Sequence, residues 1–205
     1  MATNWPNSVQ TFTNPTASSA LNSPSHADQH TTVNDTVEAL QQYAGLVFVK
    51  SVTVGYGVSS VTVSNAFSST FQNYKIIIEG VDASVGNVFV SFNFDGSTAN
   101  YYYAGWYLNY SNTTGGFAAG ANEARWPVGF TTTSDSTSCS FEVFHPYDAT
   151  RRAHYSSAPS GGNDYVNSYG GQHASVSSFT GFIIAPGSGT FTGGTIRVYG
   201  YNNGV

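Results

Sequence analysis

His26 and His30 stand four residues apart in the stretch SPSHADQH, a spacing that lets two imidazoles on one helical turn share a metal ion. A zinc-peptidase motif would carry a glutamate directly after the first histidine, but Ala27 stands there and no third ligand is near. Within one chain the pair therefore reads as capping and hydrogen-bonding groups at the start of a helix, and no metal or other cofactor is expected. Ion binding would need a ring of these histidines from several chains around a symmetry axis. A second cluster, His145, Asp148, Arg151, Arg152 and His154 in HPYDATRRAH, collects scarce titratable groups without a nucleophile or paired carboxylates. It reads as a solvated loop making ion pairs or inter-subunit contacts. Neither SGGND nor TGGT has the glycine, lysine and hydroxyl spacing of a phosphate cradle. No residue is assigned a catalytic role, and the chain is expected not to be an enzyme.

The third candidate is aromatic. In NYYYAGWYLNY, alternation along a strand splits the side chains between two faces. If Tyr102, Ala104, Trp106, Leu108 and Tyr110 face the core, then Tyr101, Tyr103 and Tyr107 face outward. Together with Trp126 they could stack on sugar rings or fill a subunit interface. The alternative is a second buried face inside an oligomer or under a loop.

These groups must be positioned by a chain of 205 residues, enough for one well-buried domain and an appendage. Only 8% of residues are charged, against roughly 25% in ordinary globular chains, while glycine and aromatics are abundant. The net charge of -5, with six Lys plus Arg and no basic run, argues against nucleic-acid binding, which depends on neutralising phosphates. The first residues lack a signal peptide's basic and apolar regions, and no stretch approaches the ~18 apolar residues of a membrane span, so no membrane insertion is expected. Cys139, the one cysteine, lies in the alternating run SCSFEVF and reads as a buried structural thiol.

Residues 1–32 are polar and proline-rich, with Trp5, Phe12 and Leu21 scattered without period, and read as an extended arm that orders against a partner. In 33–45 the apolar residues Val33, Val37, Leu40 and Ala44 follow at spacings of 4, 3 and 4, the rhythm of a short coiled-coil seam, with Gly45 as a C-cap. Carried backwards, the rhythm reaches His30 and His26. The helix therefore either starts near Ser23-Pro24 or follows a capped turn and starts at Asn34. From Leu46 to Val205 the chain reads as strands at 47–54, 58–67, 74–81, 87–96, 101–110, 137–146, 176–186 and 194–201, with long loops at 111–136 and 147–175. Val88, Val90, Phe92 and Phe94 alternate with Phe89, Ser91, Asn93 and Asp95. The expected fold is all-β, an antiparallel jelly-roll-like β-sandwich preceded by the arm and the short helix.

One further pattern spans the arm and the helix. Trp5-Pro6, Phe12 with Asn14-Pro15, Leu21, the run Ser25-His26-Ala27-Asp28, His30, and Asn34-Asp35 leading into Glu38-Ala39-Leu40 resemble a recurrent N-terminal segment of bacteriophage virion proteins: tail fibres, minor tail proteins and head fibres. The C-terminal FTGFIIAPGSGTFTGGTIRVYGY is similar to the closing hairpin of β-sandwich domains in phage tail and fibre proteins. The resemblance implies a virion structural protein, assembled in the host cytoplasm and released by lysis. Its arm residues Trp5, Phe12, Pro15, Leu21, His26, Asp28 and His30 would attach it to other virion proteins of the tail, baseplate or capsid. It further implies a homotrimer whose β-domain contacts a host-surface glycan or receptor, as a tail fibre or tail-tip module. A head fibre or capsid decoration protein is the alternative location, and a carbohydrate-binding module is the alternative function.

Overall fold

The computed structural model describes residues 26–202, except 44, 87, 111–113, 132, 134–136, 159, 163 and 164. The chain divides after Val47 into an N-terminal unit and a β-domain, Phe48–Tyr201. The described elements are helix α1 (His26–Tyr43) and strands β1 (Leu46–Thr53), β2 (Val61–Val63), β3 (Asn73–Val81), β4 (Val88–Phe94), β5 (Tyr101–Asn109), β6 (Gly115–Glu123) and β7 (Trp126–Thr131). They continue with β8 (Thr137–Phe144), β9 (Arg152–Ser157), β10 (Ser160–Gly162), β11 (Tyr165–Val176), β12 (Phe182–Pro186) and β13 (Thr195–Tyr201).

The helix is continuous from His26, so residues 26–32, read as arm from the sequence, are helical. Two weak helix formers are accommodated by back-bonding: the Thr32 hydroxyl donates to the Asp28 carbonyl and the Thr36 hydroxyl to the Thr32 carbonyl, both at 2.8 Å. Asp28 in the first turn complements the positive end of the helix dipole. Val33, Val37 and Leu40 remain 45%, 46% and 47% exposed. Trp5, Phe12, Pro15, Leu21 and Ala44 lie outside the described residues.

The β-domain is an antiparallel sandwich of two packed sheets. The smaller has the order β2-β12-β4-β7. The larger, nine-stranded, runs β1-β13-β3-β8-β10-β11-β5-β6, with β9 pairing both β8 and β11. With β5, β6, β9, β10 and β11 set aside, the remaining strands pair first with last, working inward: β1 with β13, β2 with β12, β3 with β8, β4 with β7. Successive pairs alternate between the larger and the smaller sheet. That is one long hairpin folded over at the β4–β7 end and wrapped on itself, the jelly-roll connectivity.

Alternating apolar residues build the core between the sheets. Tyr74, Ile76 and Ile78 on β3, Ile196 and Val198 on β13, and Phe141 and Val143 on β8 face Phe92 and Phe94 on β4, Phe182 and Ile184 on β12, and Trp126 on β7. Val90, Phe92 and Phe94 are fully buried, as the β4 alternation requires. Phe92 lies at the centre, stacked on Trp126 at 5.6 Å and on Phe182 at 5.2 Å between ring centroids. The largest fully buried side chains are mostly aromatic: Trp126, Tyr74, Tyr101, Phe92, Phe94, Phe141, Phe182 and Phe191.

The remaining strands form two insertions, β5–β6 between β4 and β7, and β9–β11 between β8 and β12. Both join the larger sheet beyond β8, where β11 pairs with β5 from Tyr165 opposite Asn109 to His173 opposite Tyr101. The two stretches expected as loops, 111–136 and 147–175, thus contain β6, β7, β9, β10 and β11. Their sequences, such as GGFAAGANE and YVNSYGGQHASV, lack the alternation and β-branched residues that announce a strand.

Candidate functional site

The wing formed by β9, β11, β5 and β6 has one face on the core and one in the open, and the aromatic strand β5 decides which is which. Tyr101 is fully buried, and its hydroxyl accepts the Phe94 N–H at 2.7 Å. Its ring stands edge-on to Trp126 at 5.1 Å and to His173 at 4.8 Å. Tyr103 packs towards Tyr169, and Tyr107 towards Tyr165, on the same side. Trp126 is also fully buried, stacked on Tyr155 at 4.5 Å with its indole N–H donating to the Tyr102 carbonyl at 3.2 Å. The expected face assignment is therefore inverted: Tyr101, Tyr103 and Tyr107 point inward, Trp126 is a core residue, and Tyr102, Ala104, Trp106, Leu108 and Tyr110 form the outer face.

The physical reason lies in hydrogen bonds and in one glycine. Buried phenols are favoured where their hydroxyls find partners, as the Tyr155 hydroxyl does in donating to the Pro127 carbonyl at 3.1 Å, whereas the Tyr169 hydroxyl is buried without one. Burial pushes the Tyr101 and Tyr169 hydroxyls up to about 12, and raises Tyr155 further. Gly105 sits on the inner face opposite Tyr169. A Cβ there would run into Tyr169 Cδ1 and the Ser168 carbonyl, so the missing side chain is what admits the Tyr169 ring. His173, also inward and 2% exposed, is held between the Ser97 hydroxyl at 2.9 Å from Nε2 and the Ser175 carbonyl at 3.2 Å from Nδ1.

On the outer face the strand register sets three rows side by side. A middle row of small residues runs Ala119, Ala104, Gly170, Ser156 across β6, β5, β11 and β9. Along one flank Phe117 lies opposite Trp106, with Phe117 92% exposed. Along the other, Tyr102 lies opposite Gln172, which lies opposite His154. Ala104 and Gly170 of this row floor a shallow depression of about 500 Å³ walled by Tyr102, His154 and Gln172, with Trp106 and Phe117 beyond its edge. No sequence signal pointed here, because the rows come from four strands of which three were read as loop.

The other candidates do not converge. In the 145–154 loop the Asp148 carboxylate takes bonds from the Thr150 N–H at 2.7 Å and the Thr150 hydroxyl at 2.6 Å, with Arg151 at 3.7 Å. Thr150 first, and then Arg151 and His145, hold that carboxyl below its usual range. His145 carries a positive φ of 54° at the end of β8, whereas His154 lies out on β9 in the wing. His30 and Asp28 are exposed on α1. Among the described residues no three His, Cys, Asp or Glu side chains come together as a metal site. Cys139 is buried, and burial pushes its thiol up to about 12. No helix among the described residues is long and apolar enough to cross a membrane. No family model matches the chain, and neither the curated proteins nor the solved structures give a significant match.

Proposed function

We propose that the chain is a non-enzymatic structural protein of a bacteriophage particle, a tail-fibre or tail-tip module. In this reading the segment ahead of α1 docks on other virion proteins, α1 associates with its copies in a trimer, and the β-sandwich projects. The observation that carries it is the apolar stripe on α1: Val33, Val37 and Leu40, each close to half exposed, at the 4 and 3 spacing of a coiled-coil seam. A single helix of 18 residues is marginal in water, and covering such a stripe with a second helix is the standard way to stabilise it. The trimer and the particle come from the resemblance of the N-terminal pattern to phage virion segments.

Two experiments test this. Sedimentation of the full chain is expected to give a trimer, and the double substitution Val37→Asp, Leu40→Asp a monomer with an intact β-domain; a native chain that sediments as a monomer defeats the seam. Labelling of phage particles with an antibody to the β-domain is expected to mark the tail. Label over the head would move the protein to the capsid as a head fibre or decoration, and absence of label would remove it from the particle.

A further inference from the structure

The outer face of the wing has a composition that asks for an amphipathic ligand. Its small-residue row crosses four strands, roughly 14 Å at the usual interstrand spacing, and the flanking rows stand about 13 Å apart along the strands. One flank, Phe117 and Trp106, offers rings and an indole N–H, with the Ser168 hydroxyl next in the row already donating to the Ser157 carbonyl at 3.0 Å. The opposite flank, Tyr102, Gln172 and His154, offers a phenol, an amide and an imidazole. None of the three rows contains Lys, Arg, Asp or Glu; charged positions stand at their margin, Glu142 opposite Ser156 and Arg152 two residues from His154. A short run of linked pyranoses matches the two flanks, with C–H faces that lie on aromatic rings at one end and hydroxyls that exchange hydrogen bonds with amides and phenols at the other. A second copy of the chain fits less well, because covering the polar flank with apolar surface would leave its donors and acceptors unpaired.

We propose that this trough is a binding site for a neutral oligosaccharide, which stacks on Trp106 and Phe117 and hydrogen-bonds to Tyr102, Gln172 and His154. Gly170 is its floor. A Cβ added there would meet only the Tyr155 carbonyl oxygen, at an ordinary 3.5 Å, so the backbone admits a side chain at this position and its further atoms occupy the trough. The site lies wholly in the β-domain and does not depend on how the chain assembles, so the α1 substitutions above leave it unchanged.

The test is a nuclear magnetic resonance titration of the isotope-labelled full chain with maltotriose, cellotriose and triacetylchitotriose, each to about 20 mM, enough to saturate a site of millimolar Kd. At least one of the three is expected to shift the Trp106 indole N–H and the Gln172 side-chain amide to saturation. Gly170→Val and Trp106→Ala are each expected to weaken that binding about tenfold or more, read at Gln172. The Trp126 indole signal, from the core, reports that each variant is folded, and Tyr56→Ala, an exposed tyrosine outside the trough, leaves binding unchanged. The proposal is overturned if none of the three sugars shifts either signal, or if Gly170→Val binds as well as the native chain. It is equally overturned if the same signals move with protein concentration in the absence of sugar, which would make the face a contact between copies.

Discussion

Gly105 and Gly170 sit next to each other on paired strands but on opposite faces of the wing, and replacing each by alanine separates the two faces energetically. Gly105 lies opposite Tyr169, and its neighbour Ala104 opposite Gly170. At Gly105 the new methyl would collide with Tyr169 Cδ1 and the Ser168 carbonyl and come within 2.8 Å of Tyr169 Cα. Two of the three obstacles are backbone, so the β5–β11 pairing itself must give. Overpacking of this kind costs about 1–3 kcal/mol. For a chain of this length that lowers Tm by about 2–12 °C. At Gly170 the methyl meets one oxygen at 3.5 Å, and neither glycine carries a positive φ. Alanine there restricts the unfolded chain at no cost to the fold and raises stability by about 0.4–1 kcal/mol. Thermal and urea unfolding of the two variants, followed by near-ultraviolet circular dichroism of the buried aromatics, reads the difference. Equal effects, or a larger loss at Gly170, would refute the assignment of faces and with it the trough.

Two further outcomes follow from burial. The Cys139 thiol, fully enclosed and pushed up to about 12, is expected to resist Ellman's reagent at about pH 8 in the folded chain and to react promptly in denaturant; rapid reaction of the native protein would contradict its place in the core. The buried phenols make the fold sensitive to alkali. Tyr101 and Tyr169 ionise near 10 when unfolded and near 12 when folded, so above pH 10 the unfolded state is first to lose protons. Their contribution is complete below pH 10 and is lost as pH rises towards 12. Urea midpoints should therefore fall steeply between those values, with part of the tyrosinate absorbance appearing only on unfolding; a single normal titration with unchanged midpoints would show that these rings are solvated.

How far the sequence could be read depended on whether its signals were local. The framework strands announced themselves: YKIIIEGV is a β-branched run and NVFVSFNF carries an apolar residue at every even position, and both became core strands of the jelly roll. The helix rhythm from Val33 to Leu40 was equally legible. The wing was not, because β6 is mostly glycine and alanine and the buried residues of β11, Asn167, Tyr169 and His173, stand among glycines and polar residues, so neither strand shows an apolar alternation. In β5 aromatics occupy both faces, so alternation marks a strand but cannot choose its buried side. The choice depends on Trp126 and Tyr155 arriving from strands hidden in apparent loops, and on a glycine at 105 that leaves room for a ring contributed more than sixty residues later.

The pairing of first strand with last also dictates how the molecule must come into being. Strand β3, with three consecutive isoleucines, is flanked by β8 and β13, both made after it, and β13 is the last strand among the described residues. A ribosome therefore releases YKIIIEGV long before either neighbour exists, and one of its two edges stays open until residues 195–201 have been made. Such non-local closure is slow. The vulnerable interval of this protein is consequently its birth, when an apolar strand edge waits for its partner and neighbouring nascent chains can pair with it instead.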